Sequence, residues 1–404
     1  MRISLIPLLA GAALLLGTTA SFAEDALRPQ VGEPLQNAQT ALKSKNYREA
    51  LADVDAAEKV GGLTPYESYI IDRMRAAAAT GAGDEATAIK AYEAAMASPK
   101  FPAGEKLQTY DVMAKLAYAG KNYTKSAELI RKYRAAGGTS AQTLGLLPQT
   151  LYLANDLGGA QEELNAQLAT LEKAGQKPTE TQLEMLASIA VKKKDNAGYI
   201  AALEKLVAYY PKPNYWLDLI TRTANKPGFS PRLTLDTYRL KKATDTMLKT
   251  EDFMEAAQLA LQAGFPGEAQ QYVNLGYDKK LLGTGPDAAR HKRLKDLVDK
   301  KVAEDKPALA AGDKEAATQA SGDALVNAGL NHVGYGDAAN GVKLIEQGIK
   351  KDALKKPDEA KLHLGYAQMM AGQKDAAAKT LRTVQTPDGS IELARLYILM
   401  LRQH

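Results

Sequence analysis

The 404-residue chain contains no cysteine. That excludes a disulfide framework, a thiolate metal site, a cysteine nucleophile and a lipid-bearing cysteine at a processed amino terminus. Phenylalanine (5) and tryptophan (1) are scarce, which leaves tyrosine (19) as the main aromatic. The four histidines, His291, His332, His363 and His404, are not spaced as a metal pair. His363 is expected on a helix surface or against a neighbouring helix. Neither G-x-S-x-G nor S-x-x-K occurs, so the common serine-nucleophile motifs are missing. Gly283-Thr284-Gly285 is too short for a phosphate loop and follows no strand pattern, so it reads as a turn. Neither charge dominates: Lys and Arg number 52, Asp and Glu 47, for a net +5 that falls to +4 if Arg2 is removed with a leader. A nucleic-acid binder needs a concentrated basic face instead. The cluster His291-Lys292-Arg293-Lys295 with Lys300-Lys301 is interspersed with acids. It reads as a solvated helix face, with a site for anionic envelope polymers as the alternative. No cofactor and no metal are expected.

Long apolar runs are also missing, with one exception. After Met1-Arg2, residues 3–16 are apolar apart from Ser4, Pro7 and Gly11, and Ser21-Phe22-Ala23 supplies small residues at a cleavage site. The run is shorter than the roughly 20 residues of a membrane span, so residues 1–23 read as a cleaved secretory signal peptide. The mature chain is then exported without a membrane span, most simply to a bacterial periplasm, and residues 24–32 form a linker. Elsewhere Ala and Leu are abundant and β-branched runs are rare, which favours helix throughout.

The helical pattern repeats. Small or anchoring residues that open the second helix of successive hairpins fall at Ala50, Ala88, Ser126, Ala160 and Tyr199, in steps of 38, 38, 34 and 39. Later anchors are Ala269, Gly341 and Ala377, in steps of 70, 72 and 36. The last unit is the clearest. Leu364-Gly365 lies in one helix, Gly372 breaks the chain, and Ala377, Leu381 and Val384 share one face of the next. This unit resembles a tetratricopeptide (TPR) repeat, whose period is about 34 residues. The resemblance extends more weakly over the whole mature chain. It implies an all-α, TPR-like α-solenoid: a right-handed superhelix of antiparallel helix pairs with a C-terminal capping helix. The expected divisions are an N-terminal stack (33–211), divergent repeats (212–280), an irregular, flexible or degenerate joint (281–320), C-terminal repeats (321–388) and the cap (389–404). The cap is more apolar than an exposed end requires, so its outer side is expected to touch a partner.

The resemblance also implies which side chains line a concave groove. They lie at fixed offsets from the small position of the first helix of each pair, here Ala38, Ala76, Ala114, Pro148, Ala187, Ala257, Gly329 and Gly365. The offsets select Gln39, Arg73, Gln108, Asp111, Lys115, Tyr118, Gln142, Gln149, Tyr152, Glu184 and Tyr366 as a partner-binding groove. The Lys-and-Asn carboxylate clamp of some TPRs is not evident, because Leu35 and Gln39 occupy its first-unit positions. Separately, Tyr209, Tyr210, Tyr215 and Trp216 form a candidate aromatic patch for a sugar or a proline-rich peptide; the alternative is that they fill a divergent repeat. The expected function is a non-enzymatic exported scaffold that binds a protein or peptide partner in the cell envelope, in assembly or transport. A glycan-handling envelope protein is the alternative, with glycan as a possible partner. Self-association through the C-terminal helix is a third.

Overall fold

The computed structural model describes residues 26–351 and 353–402. The expected signal peptide and its cleavage site lie outside them. The described residues form helices and turns, with no strand among them. They divide into two compact units between Gln176 and Lys177, inside the stretch that the repeat spacing reads as one N-terminal stack. Each unit is an α-solenoid stack of paired helices.

Unit 1 contains α1 (Pro29–Lys43), α2 (Tyr47–Lys59), α3 (Pro65–Ala82), α4 (Glu85–Ala97), α5 (Lys106–Ala119), α6 (Tyr123–Ala135), α7 (Ala141–Gly145), α8 (Leu147–Leu153) and α9 (Leu157–Lys173). α1 begins at Pro29, so part of the expected linker is helical. Unit 2 contains α10 (Glu180–Lys192), α11 (Asn196–Tyr209), α12 (Pro213–Ala224), α13 (Thr234–Ala243), α14 (Thr250–Gln262), α15 (Pro266–Asp278), α16 (Ala288–Asp305) and α17 (Leu309–Thr318). It continues with α18 (Asp323–Gly334), α19 (Ala338–Lys350), α20 (Pro357–Met370), α21 (Lys374–Leu381) and α22 (Ser390–Leu401).

One local device makes most of the pairs. The first helix ends on a left-handed residue: Lys45, Gly83, Lys121, Asn155, Lys194, Gly264, Gly336 or Gly372. The following amide then reaches back to the end of that helix, as Asp84 N does to Ala79 O at 2.9 Å and Asp195 N to Ala190 O at 2.9 Å. This is the Schellman closure. The residue bearing that amide is usually Asp or Asn, and its side chain caps the second helix. Asp84 accepts from Thr87 N at 3.0 Å, Asp156 from Gly159 N at 2.9 Å and Asp195 from Gly198 N at 2.9 Å. Stop and start signals are thus adjacent, and the hairpin follows from about six residues of chain.

Four residues past each cap lies the anchor. Ala50, Ala88, Ser126, Ala160, Ala269 and Ala377 are fully buried, and Gly341 is buried too. Tyr199 holds the same register without filling the role. It is half-buried, its hydroxyl donates to Asp218 at 2.6 Å and the Arg222 guanidinium lies 4.1 Å from its ring; Ala202 and Leu203 enter the core in its place. In α18/α19 glycines let the backbones touch: a Cβ on Gly329 would stand 2.6 Å from the Gly341 carbonyl oxygen.

In unit 2, residues 281–320 contain α16 and α17, while α15 also packs directly on α18. One expectation for this unit is corrected. The C-terminal helix keeps only a small part of its apolar surface open. α22 packs on α20 and α21, and also on α11, α12 and α13, which buries Leu393, Leu396, Tyr397 and Met400 and leaves Ile398 and Leu399 half-exposed. Ion pairs fasten this seam: Arg395–Glu204 at 2.6 Å, Lys226–Glu392 at 2.5 Å, and Arg232 to both Glu359 (2.5 Å) and Asp388.

Candidate functional site

In unit 1 the first helices of successive pairs carry a continuous polar face. On α5, Gln108, Asp111, Lys115 and Tyr118 follow at spacings of three, four and three, which places them along one side. Asp111 pairs with Lys115 at 2.6 Å, and Thr143 of α7 donates to its other oxygen. That bond ties α7 to α5, and Gln142 and Gln149 continue from there. On the preceding pair, Arg73 of α3 donates to the Tyr69 hydroxyl at 2.8 Å and meets Glu105, just before α5, at 3.1 Å. Tyr69 stands edge-on to Phe101, 6.4 Å between centroids. Charged residues here are consumed in pairs, within α5 for Asp111–Lys115 and between α3 and the start of α5 for Arg73–Glu105. The amides are not: Gln108, Gln142 and Gln149 are exposed and hold no bond within the described residues. Tyr118 is half-buried with its ring 5.6 Å from Tyr123. Burial, and then the neighbouring Tyr123 hydroxyl, push its own hydroxyl pKa up, so it stays a neutral donor. Gln39 and Tyr152 are half-buried and engaged within the chain.

The remaining expected residues lie in unit 2 and divide differently. Tyr366 is only 4% exposed, so it lines no open groove. It stands at a buried charge network where α13, α15, α20 and α22 meet. There Arg239 of α13 donates to both oxygens of Glu268 on α15, at 2.9 and 2.8 Å, and to Asp236 at 2.8 Å. The Tyr272 hydroxyl donates to Glu268 at 3.1 Å, and the Tyr397 hydroxyl to the Asp236 carbonyl at 3.4 Å. His363 Nε2 lies 3.1 Å from Asp236 Oδ1, off the line of a good hydrogen bond. Burial pushes the Asp236 carboxyl up, and the His363 and Arg239 charges more than reverse this, so it remains well below the usual range. The Arg239 guanidinium also faces the Phe265 and Tyr366 rings, 5.5 and 5.4 Å from their centroids. This network joins four helices, and all of its side chains are buried. A partial sequence signal was available: Asp236 and Arg239 stand three apart, one helical turn, among Leu233, Leu235, Tyr238 and Leu240.

The aromatic patch is likewise not a free platform. Trp216 is 3% exposed. The Tyr215 hydroxyl lies 2.6 Å from Glu180 and 2.7 Å from Glu184 and shares its one proton between them, so Glu184 is exposed yet already engaged. Burial and these two carboxylates push the Tyr215 hydroxyl far up. Tyr210 donates to the Pro178 carbonyl at 2.8 Å and lies under Lys177; Tyr209 is half-buried. These residues tie α10 to α12 and fill a divergent pair. The basic helix α16 pairs along its own length, Lys292 with Asp296 and Lys295 with Asp299. Among the described residues no group of His, Asp and Glu is arranged to hold a metal, and no helix is long and apolar enough to cross a membrane.

No family model matches the sequence, and no curated protein matches it. Among solved structures, the chain is similar to one of Naa15/Naa10 bound to HypK-THB, at 16% identity and a TM-score of 0.31, over 88% of this chain and 59% of that one. It is also similar to the P58(IPK) TPR domain (13% identity, TM-score 0.23, 92% and 98% coverage) and to yeast Tom70 (10%, 0.26, 92% and 96%). At these identities and scores the likeness extends to no site and no partner.

Proposed function

We propose that this chain is an exported, non-enzymatic scaffold of the bacterial envelope that holds an extended peptide segment of another protein along the polar face of unit 1. The observation that carries the reading is the set of three exposed, unpartnered amides, Gln108 on α5, Gln142 on α7 and Gln149 on α8, with Asp111–Thr143 tying the first two helices together. A primary amide offers donors and an acceptor, the complement of a peptide group. Tyr118 adds a flat, partly desolvated ring whose hydroxyl is a fixed donor, the kind of anchor that peptide interfaces favour. The local pairs Arg73–Glu105 and Asp111–Lys115 hold the face in place, so little order is lost on binding. Export rests on the residue pattern of 1–23 alone.

Selection of a random peptide library on the purified chain 24–404 tests the reading. The selected peptide should bind about five- to tenfold more weakly to Gln108→Ala/Gln149→Ala and to Tyr118→Ala, the scale of one or two lost hydrogen bonds. Lys90→Ala, on the exposed side of α4, should bind as the parent does. A peptide indifferent to all three substitutions sinks the site. For export, the mass of the protein from cells should correspond to a chain starting at Glu24; an uncleaved cytoplasmic chain overturns it.

A further inference from the structure

The seam of unit 2 leaves a basic cleft that the peptide face does not use. Arg382 follows α21 at its carboxyl end, Arg402 follows α22 at its own, and Arg395 lies within α22. With Glu204 of α11 and with Ile398 and Leu399 of α22 they line one open cleft of about 260 Å³. An arginine at a helix carboxyl end is ordinarily explained by the helix dipole. Here two such ends converge on the same cleft, and a third arginine joins them. Arg395 is paired with Glu204 at 2.6 Å, whereas Arg382 and Arg402 are exposed and have no partner among the described residues. Three guanidinium groups against one carboxylate leave a surplus of two positive charges (3 − 1). Burial pushes the Glu204 carboxyl up, with Arg395 only partly reversing it.

We propose that this cleft binds a phosphomonoester whose apolar substituent lies on Ile398 and Leu399. The planar forks of arginine match phosphate oxygens two at a time. A dianion neutralises the surplus, while a carboxylate leaves one charge uncompensated. The half-exposed Ile398 and Leu399 give the substituent an apolar surface that inorganic phosphate cannot use. The cleft belongs to unit 2 and the peptide face to unit 1, so the failure of either proposal leaves the other standing.

Calorimetric titration of the chain 24–404 with inorganic phosphate, hexyl phosphate and hexanoate tests the proposal. Hexyl phosphate should bind most tightly and weaken as salt is raised. Arg382→Ala and Arg402→Ala should each weaken it by about tenfold or more, the loss expected for a charged hydrogen bond. Neither arginine pairs with another described residue, so both variants should melt with the parent. Arg382→Lys keeps the charge without the fork and should fall between parent and alanine variant. Cosedimentation with phosphatidylcholine vesicles, with and without phosphatidic acid, separates the two sources of the ligand. Arginine-dependent retention on phosphatidic acid assigns a lipid headgroup; binding of the soluble probe alone assigns a free phosphomonoester. Hexanoate or a peptide carboxylate binding as tightly as hexyl phosphate, affinity unchanged in both alanine variants, or no binding of hexyl phosphate overturns the proposal.

Discussion

A single methyl group separates two glycines that look alike in the sequence. Gly312 and Gly341 are both helical, in α17 and α19. A Cβ on Gly312 meets open space, whereas one on Gly341 would stand 2.6 Å from Val333 Cγ2 and 2.7 Å from the Gly329 carbonyl oxygen. Gly312→Ala should therefore stabilise by up to about 1 kcal/mol through helix propensity. Gly341→Ala should destabilise, because overpacking costs about 1–3 kcal/mol and outweighs that gain. Thermal melts of the two variants should shift in opposite directions. Glu67 offers a second test at this scale. It caps α3 with Thr64 and accepts three hydrogen bonds from the Arg28 side chain, which, with burial opposing and the Thr64 and Arg28 backbone amides assisting, hold its carboxyl at about 2 against an ordinary 4.5. A lowered pKa means that the unfolded chain takes up the proton first. The contribution is thus full above the ordinary value and is lost as pH falls from about 4.5 toward about 2. Urea midpoints across that range should fall less steeply in Glu67→Gln than in the parent.

At the scale of the element, helix starts and stops were legible because they are local. Asp84, Asn122, Asp156, Asp195 and Asp337 each follow a left-handed residue, and each caps the helix that it begins. Which face of an element stays open was less legible. Tyr366 and Trp216 sit at plausible exposed offsets and are buried, because a second layer of helix covers them. α22 is the clearest case, since most of its surplus of apolar residues is answered by α11 to α13. The charge network beside it predicts a sharp cost. Arg239→Met leaves Glu268 and Asp236 without their buried partner and should destabilise by about 3–5 kcal/mol. Arg239→Met/Glu268→Leu removes one of the two stranded charges as well and should cost less than the single change. Denaturant titration followed by Trp216 fluorescence reads both; equal losses would show that the pair is not acting as one unit.

For the whole molecule, the repeat spacing implies cohesion between neighbours, and each unit has its own core, Leu35, Val54 and Ile71 in the first and Leu240, Phe253 and Tyr272 in the second. Segments 24–176 and 177–404, expressed separately, should each give helical circular dichroism and a cooperative melt; an unfolded segment contradicts the division at Gln176 and Lys177. The amino-acid sequence alone determined that the chain is helical, that the helices come in pairs and where the pairs turn, because caps, left-handed stops and small anchors act over a few residues. Only the tertiary structure decided where the stack divides, which tyrosines are accessible and what the last helix covers. Those outcomes depend on contacts such as Arg395 with Glu204, 191 residues apart, and no periodicity records which distant surface will bury a given face.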